Sequence, residues 1–134
     1  MTNYYRVWSK KDNKMYYDVM ISSGSEKLAY RVDKESSSWI EMDYNDLIVM
    51  RALSKKHNGD TIYDGDIVEE DDQLYLVVWR DYKFILYGFY SSFFEVQQDA
   101  FSEATVTLKG NRYENPELIN DVVDSDKLKI MLGL

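Results

Sequence analysis

The sequence predicts an all-β protein, a small barrel or roll built from short strands. Short runs of β-branched and aromatic residues recur along the chain, separated by polar turn signals, while helical patterns are scarce. Twelve tyrosines accompany a single proline, which fits strands because Tyr packs well on a pleated surface and Pro interrupts the ladder. Two turn signals, Asn58-Gly59 and Asp64-Gly65-Asp66, reverse the chain twice within a short stretch.

The N-terminal part predicts a series of hairpins. Residues 4–8 and 15–21 are strand-like runs on either side of a polar turn. Residues 28–32 and 39–42 are shorter strands next to serine-rich loops. Residues 47–53 fit a helix or a strand by periodicity alone, and the Ile-Val pair followed by a turn favours a strand.

The longest apolar region follows the two turns and predicts the main hairpin, over residues 74–90. In residues 74–79 both alternating faces are apolar, which indicates a strand covered on both sides rather than one facing water. A polar turn at 80–83 leads into the returning strand, where Gly88 indicates a bend, a bulge or a close backbone approach. Residues 91–103 are ambiguous.

The last part of the chain predicts one closing strand and a helical end. Residues 105–108 alternate polar and apolar side chains, as a half-exposed strand does. Asn115 and Pro116 form a helix start, because Asn caps helices and Pro is tolerated at the first helical position. Apolar residues then follow at helical spacing, so we expect a short C-terminal helix.

A single domain is predicted, since this length suits one core and is short for two. The sequence contains no internal repeat and no low-complexity linker. The expected parts of a domain spanning residues 1–134 are N-terminal hairpins at 1–56, a barrel core at 57–113 and a helical appendage at 114–134.

The segment at 62–68, Ile-Tyr-Asp-Gly-Asp-Ile-Val, resembles the signature of the YopX family of phage and prophage proteins. Three further pieces match that family in order and approximate spacing. They are Arg-Val-Trp at 6–8 ahead of Lys-Met at 14–15, an apolar segment ending at Leu53, and Gly-Asn-Arg-Tyr-Glu-Asn-Pro-Glu-Leu at 110–118. One departure is the approach to the first turn, where the family usually has a Thr-Gly-Leu run.

The resemblance implies a fold and a biological context rather than an activity, because the function of this family is largely uncharacterised. It implies a small barrel like that of Src-homology-three domains, with added hairpins, in a protein of phage or prophage origin. The motif residues are expected to have structural roles: Trp8, Asn58, Gly59, Ile62, Tyr63, Gly65, Asp66, Val68, Asn115 and Pro116.

The sequence lacks the residues that common catalytic and metal sites need. It has one histidine, His57, and no cysteine, so nucleophilic sites and a zinc site lack their parts. The acidic series at 64–72 does not have the spacing of a calcium-binding loop. Asp64 and Asp66 are expected to accept hydrogen bonds from backbone amides in their turn. We therefore predict no enzyme, no cofactor and no metal.

The net charge of −8 bears on the choice of partner. A surplus of carboxylates argues against binding of phosphate backbones, which relies on Lys and Arg, whereas it fits a basic protein partner through long-range attraction. Solubility alone is a plainer explanation of the charge. With no cysteine and no apolar run long enough to cross a bilayer, we expect a soluble protein of the bacterial host cytoplasm.

Three functions remain open. The first is a non-enzymatic protein-binding or assembly module that forms a homo-oligomer, because an apolar C-terminal face would need cover. The second is an acidic antagonist that mimics nucleic acid and occupies a host DNA-binding protein. The third is weak nucleic-acid binding by the barrel, which rests on fold analogy alone. The C-terminal face consists of Leu128, Ile130, Met131 and Leu132.

Overall fold

The protein is mainly β. In the part of the chain that the structure describes, the strands form two antiparallel sheets of five strands each. The chain divides into two compact units, Met1–Arg51 and Ala52–Leu134, and each holds one sheet. The prediction of an all-β protein is therefore confirmed. This computed structural model describes residues 4–22, 29–33, 35–53, 59–70, 72–80, 82–88, 94–95 and 106–118.

The first unit follows the predicted run of short hairpins. Its strands cross the sheet in the order β4-β3-β2-β1-β5, so the first four pair with their sequence neighbours and β5 adds to the other side of β1. A short 3-10 turn, Tyr44–Asp46, connects β4 to β5. The strands are β1 (Tyr4–Ser9), β2 (Lys14–Ile21), β3 (Ala29–Asp33), β4 (Ser38–Met42) and β5 (Leu47–Met50).

A β-bulge organises the core of the first unit. Val7, Val19 and Ala29 are fully buried and form one cluster, with Tyr16 packed against it. Tyr16 and Val19 are an odd number of positions apart, so a regular strand would place them on opposite faces. The register of β1 and β2 shifts at this point, and Asp18 takes a left-handed φ of 57°. The extra residue returns both side chains to the same face.

The second unit contains the predicted main hairpin at the centre of its sheet. Its strand order is β10-β6-β7-β8-β9. The turn at Asp64-Gly65 leads directly into β6, and β10 returns from a distant part of the sequence to pair with it. The strands are β6 (Asp66–Glu70), β7 (Gln73–Arg80), β8 (Lys83–Gly88), β9 (Phe94–Glu95) and β10 (Thr107–Asn111).

Consecutive residues are buried along the middle of this second sheet. Leu76 and Val77 of β7 are both fully buried, and they belong to two different hydrophobic clusters. Ile67 joins the cluster of Leu76, and Val68 joins that of Val77. Neighbouring side chains in a strand point to opposite faces, so both faces of the sheet are covered. The prediction of a strand covered on both sides is confirmed.

The predicted barrel closure is wrong for the residues described. Both sheets are open, and β9 and β10 lie at opposite edges of the second sheet. Closure requires the two edge strands to pair with each other at a regular stagger. The strand β9 has only two residues, and these pair with β8. Over the described residues the second sheet is therefore open.

The C-terminal prediction is tested only at its start. Asn115 and Pro116 lead into a helical turn, which is a short 3-10 turn at Pro116–Leu118. The remainder of the expected helical appendage, and most of the ambiguous segment at 91–103, lie outside the described residues. That the two units form a single domain over the whole chain stays a prediction.

Candidate functional site

The turn at residues 63–66 is closed by its own acidic side chain. The backbone N–H of Tyr63 donates to Asp66 Oδ2 over 2.8 Å, and the N–H of Asp66 donates to the carbonyl of Tyr63 over 3.0 Å. Gly65 has a left-handed φ of 91°, which Gly adopts without steric cost. Asp66 is 1% exposed. Its carboxylate is therefore a structural acceptor inside the protein.

The same turn is tied to the central hairpin through its other acidic residue. Asp64 Oδ1 accepts a hydrogen bond from the backbone N–H of Trp79 over 3.1 Å. The N–H of Gly65 donates to the carbonyl of Val77 over 2.8 Å. Asp66 thus accepts a hydrogen bond from an amide of its own turn, as the sequence predicts. The amide that donates to Asp64 lies on β7 and not in the turn.

A second polar turn forms at residues 110–118. The side-chain oxygen of Asn111 accepts from the N–H groups of Tyr113 and Glu114, over 3.0 and 2.8 Å. Its amide nitrogen donates to Glu114 Oε1 over 2.7 Å. Asn115 Oδ1 accepts from the N–H of Asn111 over 3.2 Å. At Gly110 an added Cβ would meet the side chain of Asn115, so the Asn can lie here only because residue 110 is Gly.

The two motif turns are neighbours in space. The N–H of Arg112 donates to the carbonyl of Gly65 over 2.9 Å, and Asp66 pairs with Asn111 across β6 and β10. The segments 62–68 and 110–118, which are distant in sequence, therefore build one paired turn structure. Its side-chain acceptors bond backbone amides.

The remaining motif positions serve packing and turns where the structure describes them. Ile62 and Val68 are buried in the core of the second unit, whereas Gly59 is exposed with a φ of 82°. Trp8 is half-buried in β1, opposite Met15. The predicted positions that lie outside the described residues are Asn58, Leu128, Ile130, Met131 and Leu132.

Neither a metal-binding cluster nor a membrane-spanning helix occurs within the described part of the chain. No group of three or more His, Cys, Asp or Glu side chains is placed to hold a metal ion there. Over the same residues, no helix has the length and hydrophobicity needed to cross a membrane. The single histidine, His57, is not among these residues.

The first unit contains a cavity that the sequence did not reveal. Its volume is about 150 Å³. It lies among β4, the 3-10 turn, the start of β5 and the turn between β1 and β2, so its walls come from segments that are separate in sequence. Apolar side chains and four carboxylates line it together with two cations. The lining residues are Ser9, Lys11, Asp12, Arg31, Ile40, Glu41, Met42, Asp43, Asp46 and Leu47.

One wall of this cavity is braced by a stacked tyrosine. Tyr16 Oη donates to Asp12 Oδ2 over 2.9 Å, and the Arg31 guanidinium lies 4.9 Å from the centre of the Tyr16 ring. Desolvation, followed by the hydrogen bond to Asp12, raises the pKa of Tyr16 above its ordinary value of 10.0. The phenol therefore stays protonated at neutral pH and keeps donating to Asp12.

Two backbone N–H groups donate hydrogen bonds at the edge of the cavity. The N–H of Asp12 donates to Ser9 Oγ over 3.0 Å. The N–H of Lys10 donates to the carbonyl of Asp46 over 2.7 Å. The turn after β1 and the 3-10 turn before β5 are thus held together, and the cavity between them has a defined shape.

Among the residues that the structure describes, three large aromatic side chains are exposed. Tyr17 and Trp39 in the first unit are 49% and 43% exposed, and Tyr82 in the second unit is 94% exposed. Tyr82 lies at the tip of the β7–β8 hairpin and has a left-handed φ of 64°. The sequence pattern predicts only a polar turn at residues 80–83. The signal that was available is a bulky aromatic where a tight turn favours Gly or Asn.

The comparisons with known proteins agree with this fold. A family model described as YopX protein matches residues 4–120. The crystal structure of the protein yopX from Bacillus subtilis is similar, with a TM-score of 0.60 and 22% sequence identity over 88% of this chain and 96% of that chain. At this identity the likeness concerns the fold alone. No curated protein matches the chain significantly.

Proposed function

The chain belongs to the YopX family, and we propose that it is a non-enzymatic protein-binding or assembly module of a phage or prophage. In this proposal it works as a homo-oligomer in the host cytoplasm. The observation that carries the proposal is the exposure of three large aromatic side chains, Tyr17, Trp39 and Tyr82. Aromatic rings are enriched in protein interfaces, where they supply much of the binding energy.

The use of the motif side chains supports a role without catalysis. Asp64, Asp66 and Asn111 accept hydrogen bonds from backbone amides, so their polar atoms fix turns rather than face a substrate. The hydroxyl of Tyr16 donates to Asp12, and the raised pKa of Tyr16 favours this protonated form.

An acidic antagonist of a host DNA-binding protein is the second candidate. The net charge of −8 favours it. The acidic row after Gly59 is a weaker mimic of a phosphate backbone than its sequence suggests, because Asp66 is buried. Glu69 also lies 3.9 Å from Lys109 Nζ. Weak nucleic-acid binding ranks third, since both sheets are open and the analogy with closed small barrels loses its basis.

Two measurements on the same variants test the proposal. Sedimentation velocity over a range of concentrations reports self-association, and affinity capture from a host lysate with stepwise salt elution reports other partners. We compare the wild type with a Tyr17→Ser, Trp39→Ser, Tyr82→Asn triple variant. The matched control replaces three exposed polar residues, as Asn45→Ser, Thr107→Ser and Glu117→Gln.

We expect the aromatic variant alone to lose its association while keeping the fold. Retention of the protein's own chains would support assembly. Capture of a basic DNA-handling protein that moderate salt releases would instead favour the antagonist, because long-range charge attraction is screened by salt. A wild type that stays monomeric and retains no protein would overturn the proposal.

A further inference from the structure

The strand β4 forms one edge of the first sheet. It stands last in the order β4-β3-β2-β1-β5, and the structure describes no strand on its other side. It pairs with β3 in one unbroken register from Ser38 to Met42. Ser38, Trp39 and Glu41 are exposed, while Ile40 and Met42 are half-buried. The β4 edge, meaning the outer side of this strand, therefore presents backbone N–H and C=O groups that can pair with a further strand.

The other described edges have features that discourage such pairing. The strand β9 has only two residues, and β5 has four, all half-buried or buried. The strand β10 has a register shift between Leu108 and Gly110, and its Lys109 is exposed. Short strands, bulges and lysines are devices by which proteins protect sheet edges. The β4 edge has a regular register, and residues 38–42 contain neither Lys nor Pro.

The charges along the β4 edge are all negative. Residues 35–46 contain four carboxylates and no Lys or Arg. Three of these carboxylates also line the cavity, which is open and mainly polar and has four carboxylates against two cations. The surroundings of the β4 edge are therefore negative even when both cations are counted. The four carboxylates of residues 35–46 are those of Glu35, Glu41, Asp43 and Asp46.

This charge argues against a second copy of the chain and for a basic partner. If two β4 strands paired antiparallel about Ile40, Trp39 of each copy would lie opposite Glu41 of the other. The two Glu41 carboxylates would then be diagonal neighbours on one face, and the remaining carboxylates of both copies would add to the repulsion. A strand with Lys or Arg opposite Glu41 would gain attraction instead, because opposite charges across a strand pair stabilise it.

We propose that the β4 edge binds an extended, basic segment of another protein, which adds to the first sheet as a further strand. Main-chain hydrogen bonds of an added strand supply affinity, and its alternate side chains supply specificity. Trp39 and Glu41 lie on one face of β4 because they are two positions apart. The matching segment therefore has a basic residue opposite Glu41 and an apolar residue opposite Trp39. The inference rests on the protein-binding half of the proposed function and names the chemistry of the partner.

A designed peptide with capped ends, Lys-Val-Lys-Val-Leu-Thr-Lys, is the probe. When it runs antiparallel to β4, its first two lysines lie opposite Asp43 and Glu41, and its leucine lies opposite Trp39. We expect the wild type to bind it. Alternate amides of β4 should then exchange more slowly with solvent, as measured by NMR, because the new main-chain hydrogen bonds reach only the N–H groups on the outer side.

Two changes separate main-chain pairing from charge attraction. The same peptide with every backbone amide N-methylated keeps its side chains but cannot donate main-chain hydrogen bonds, so it should lose its binding. Glu41→Lys should weaken binding of the basic peptide about fivefold, because it replaces an attraction by a repulsion. A peptide with Glu in place of each Lys should prefer this variant to the wild type. The matched control is Glu117→Lys, at an exposed position of the second unit, which should change binding little.

Three outcomes would overturn the inference. The first is that the wild type does not bind the basic peptide. The second is that the N-methylated peptide binds equally well, or that the protected amides lie outside β4, since charge attraction alone would then explain the binding. The third is protection of β4 amides that grows with protein concentration in the absence of peptide, which would assign the β4 edge to a second copy. The proposed function is tested separately, because it fails only if the wild type is monomeric and captures no protein.

Discussion

The two units use their polar side chains in different ways. In the second unit Asp66 and Asn111, 1% and 5% exposed, accept hydrogen bonds from backbone amides. In the first unit Ser9 likewise accepts from the amide of Asp12, and cations lie over the rings of Tyr16 and Tyr17. In the second unit such a contact joins Arg112 and Tyr113. Buried directional hydrogen bonds fix a backbone and are costly to leave unmade. Exposed cation–aromatic contacts contribute less, because water competes with them.

The two units also differ in how completely their strands are buried. Strands β6 and β7 bury consecutive residues on both faces. The strand β2 alternates buried with half-buried or exposed positions, and β4 has no fully buried residue. Among the described strands, those of the second unit are thus more completely buried. The first unit leaves more side-chain surface for contacts, and it also contains the cavity.

The largest loss of stability should come from a substitution in the core of the second unit. Leu76→Ala removes a fully buried side chain and should lower the free energy of unfolding by about 3 kcal/mol, because it leaves a cavity. The matched control is Leu74→Ala, at a half-buried position two residues earlier in the same strand. It should lower the free energy of unfolding clearly less. Urea unfolding measures both. Equal losses would mean that burial does not distinguish these positions.

Removal of the buried acceptor at Asp66 should have the next largest effect. Asp66→Ala leaves the amide of Tyr63 without its acceptor, which should cost about 2 kcal/mol. Asp66→Asn keeps an acceptor oxygen and should cost less. Asp12→Ala, which removes the exposed hydrogen bond to Tyr16 in the first unit, should change the free energy of unfolding by about 0.5 kcal/mol or less. Comparable losses at both aspartates would contradict the contrast between the units.

The loss of stability from a clash at Gly110 should be smaller, and it should depend on one neighbouring residue, Asn115. Gly110→Ala places a Cβ against the side chain of Asn115 and should cost about 1.5 kcal/mol. In a double-mutant cycle with Asn115→Ala the two losses should not add, because the second change removes the atoms that clash. Thermal unfolding of the four proteins gives the coupling. Simple additivity would show that the strain lies elsewhere.

The smallest effect should appear at alkaline pH in the first unit. The pKa of Tyr16 is raised in the folded protein, so the stabilisation is fully present below the pKa of the unfolded tyrosine, about 10. It is lost as pH rises from there through the folded pKa, because the unfolded chain then releases a proton that the folded one retains. Tyr16→Phe should therefore flatten the fall in thermal midpoint above pH ~10. An unchanged slope would contradict this role of Tyr16.

The local features of the fold could be predicted from the sequence. Strand parity and turn residues act over a few positions, so they predict β1 to β4, the main hairpin and the hydrogen bond of Asp66 within its turn. They do not predict the bond from Trp79 on β7 to Asp64. The open form of the sheets could not be predicted, since closure depends on the length and partner of edge strands such as β9. The pairing of Gly65 with Arg112 also links segments that no local pattern connects.

The candidate site was harder to predict for the same reason. The cavity is assembled from separate turns, and nothing in the order of Asp12, Ile40 and Asp46 shows that they lie together. The strained position of Tyr82 was also missed. Residues 80–83 are polar on average and so predict an ordinary turn. The bulky Tyr82 departs from that composition, and it is the informative residue.

The pairing of the two motif turns has a consequence for synthesis of the protein. Strands β6, β7 and β8 follow one another and can pair as soon as they leave the ribosome. The hydrogen bond from Arg112 to Gly65 and the pairing of β10 with β6 can form only after residues 107–112 have emerged from the ribosome. Contacts between distant positions form late for this reason. Until then the edge of β6 that pairs with β10 has no partner strand in the nascent chain. A truncated product that lacks β10 would keep this edge unpaired, and an unpaired edge promotes aggregation.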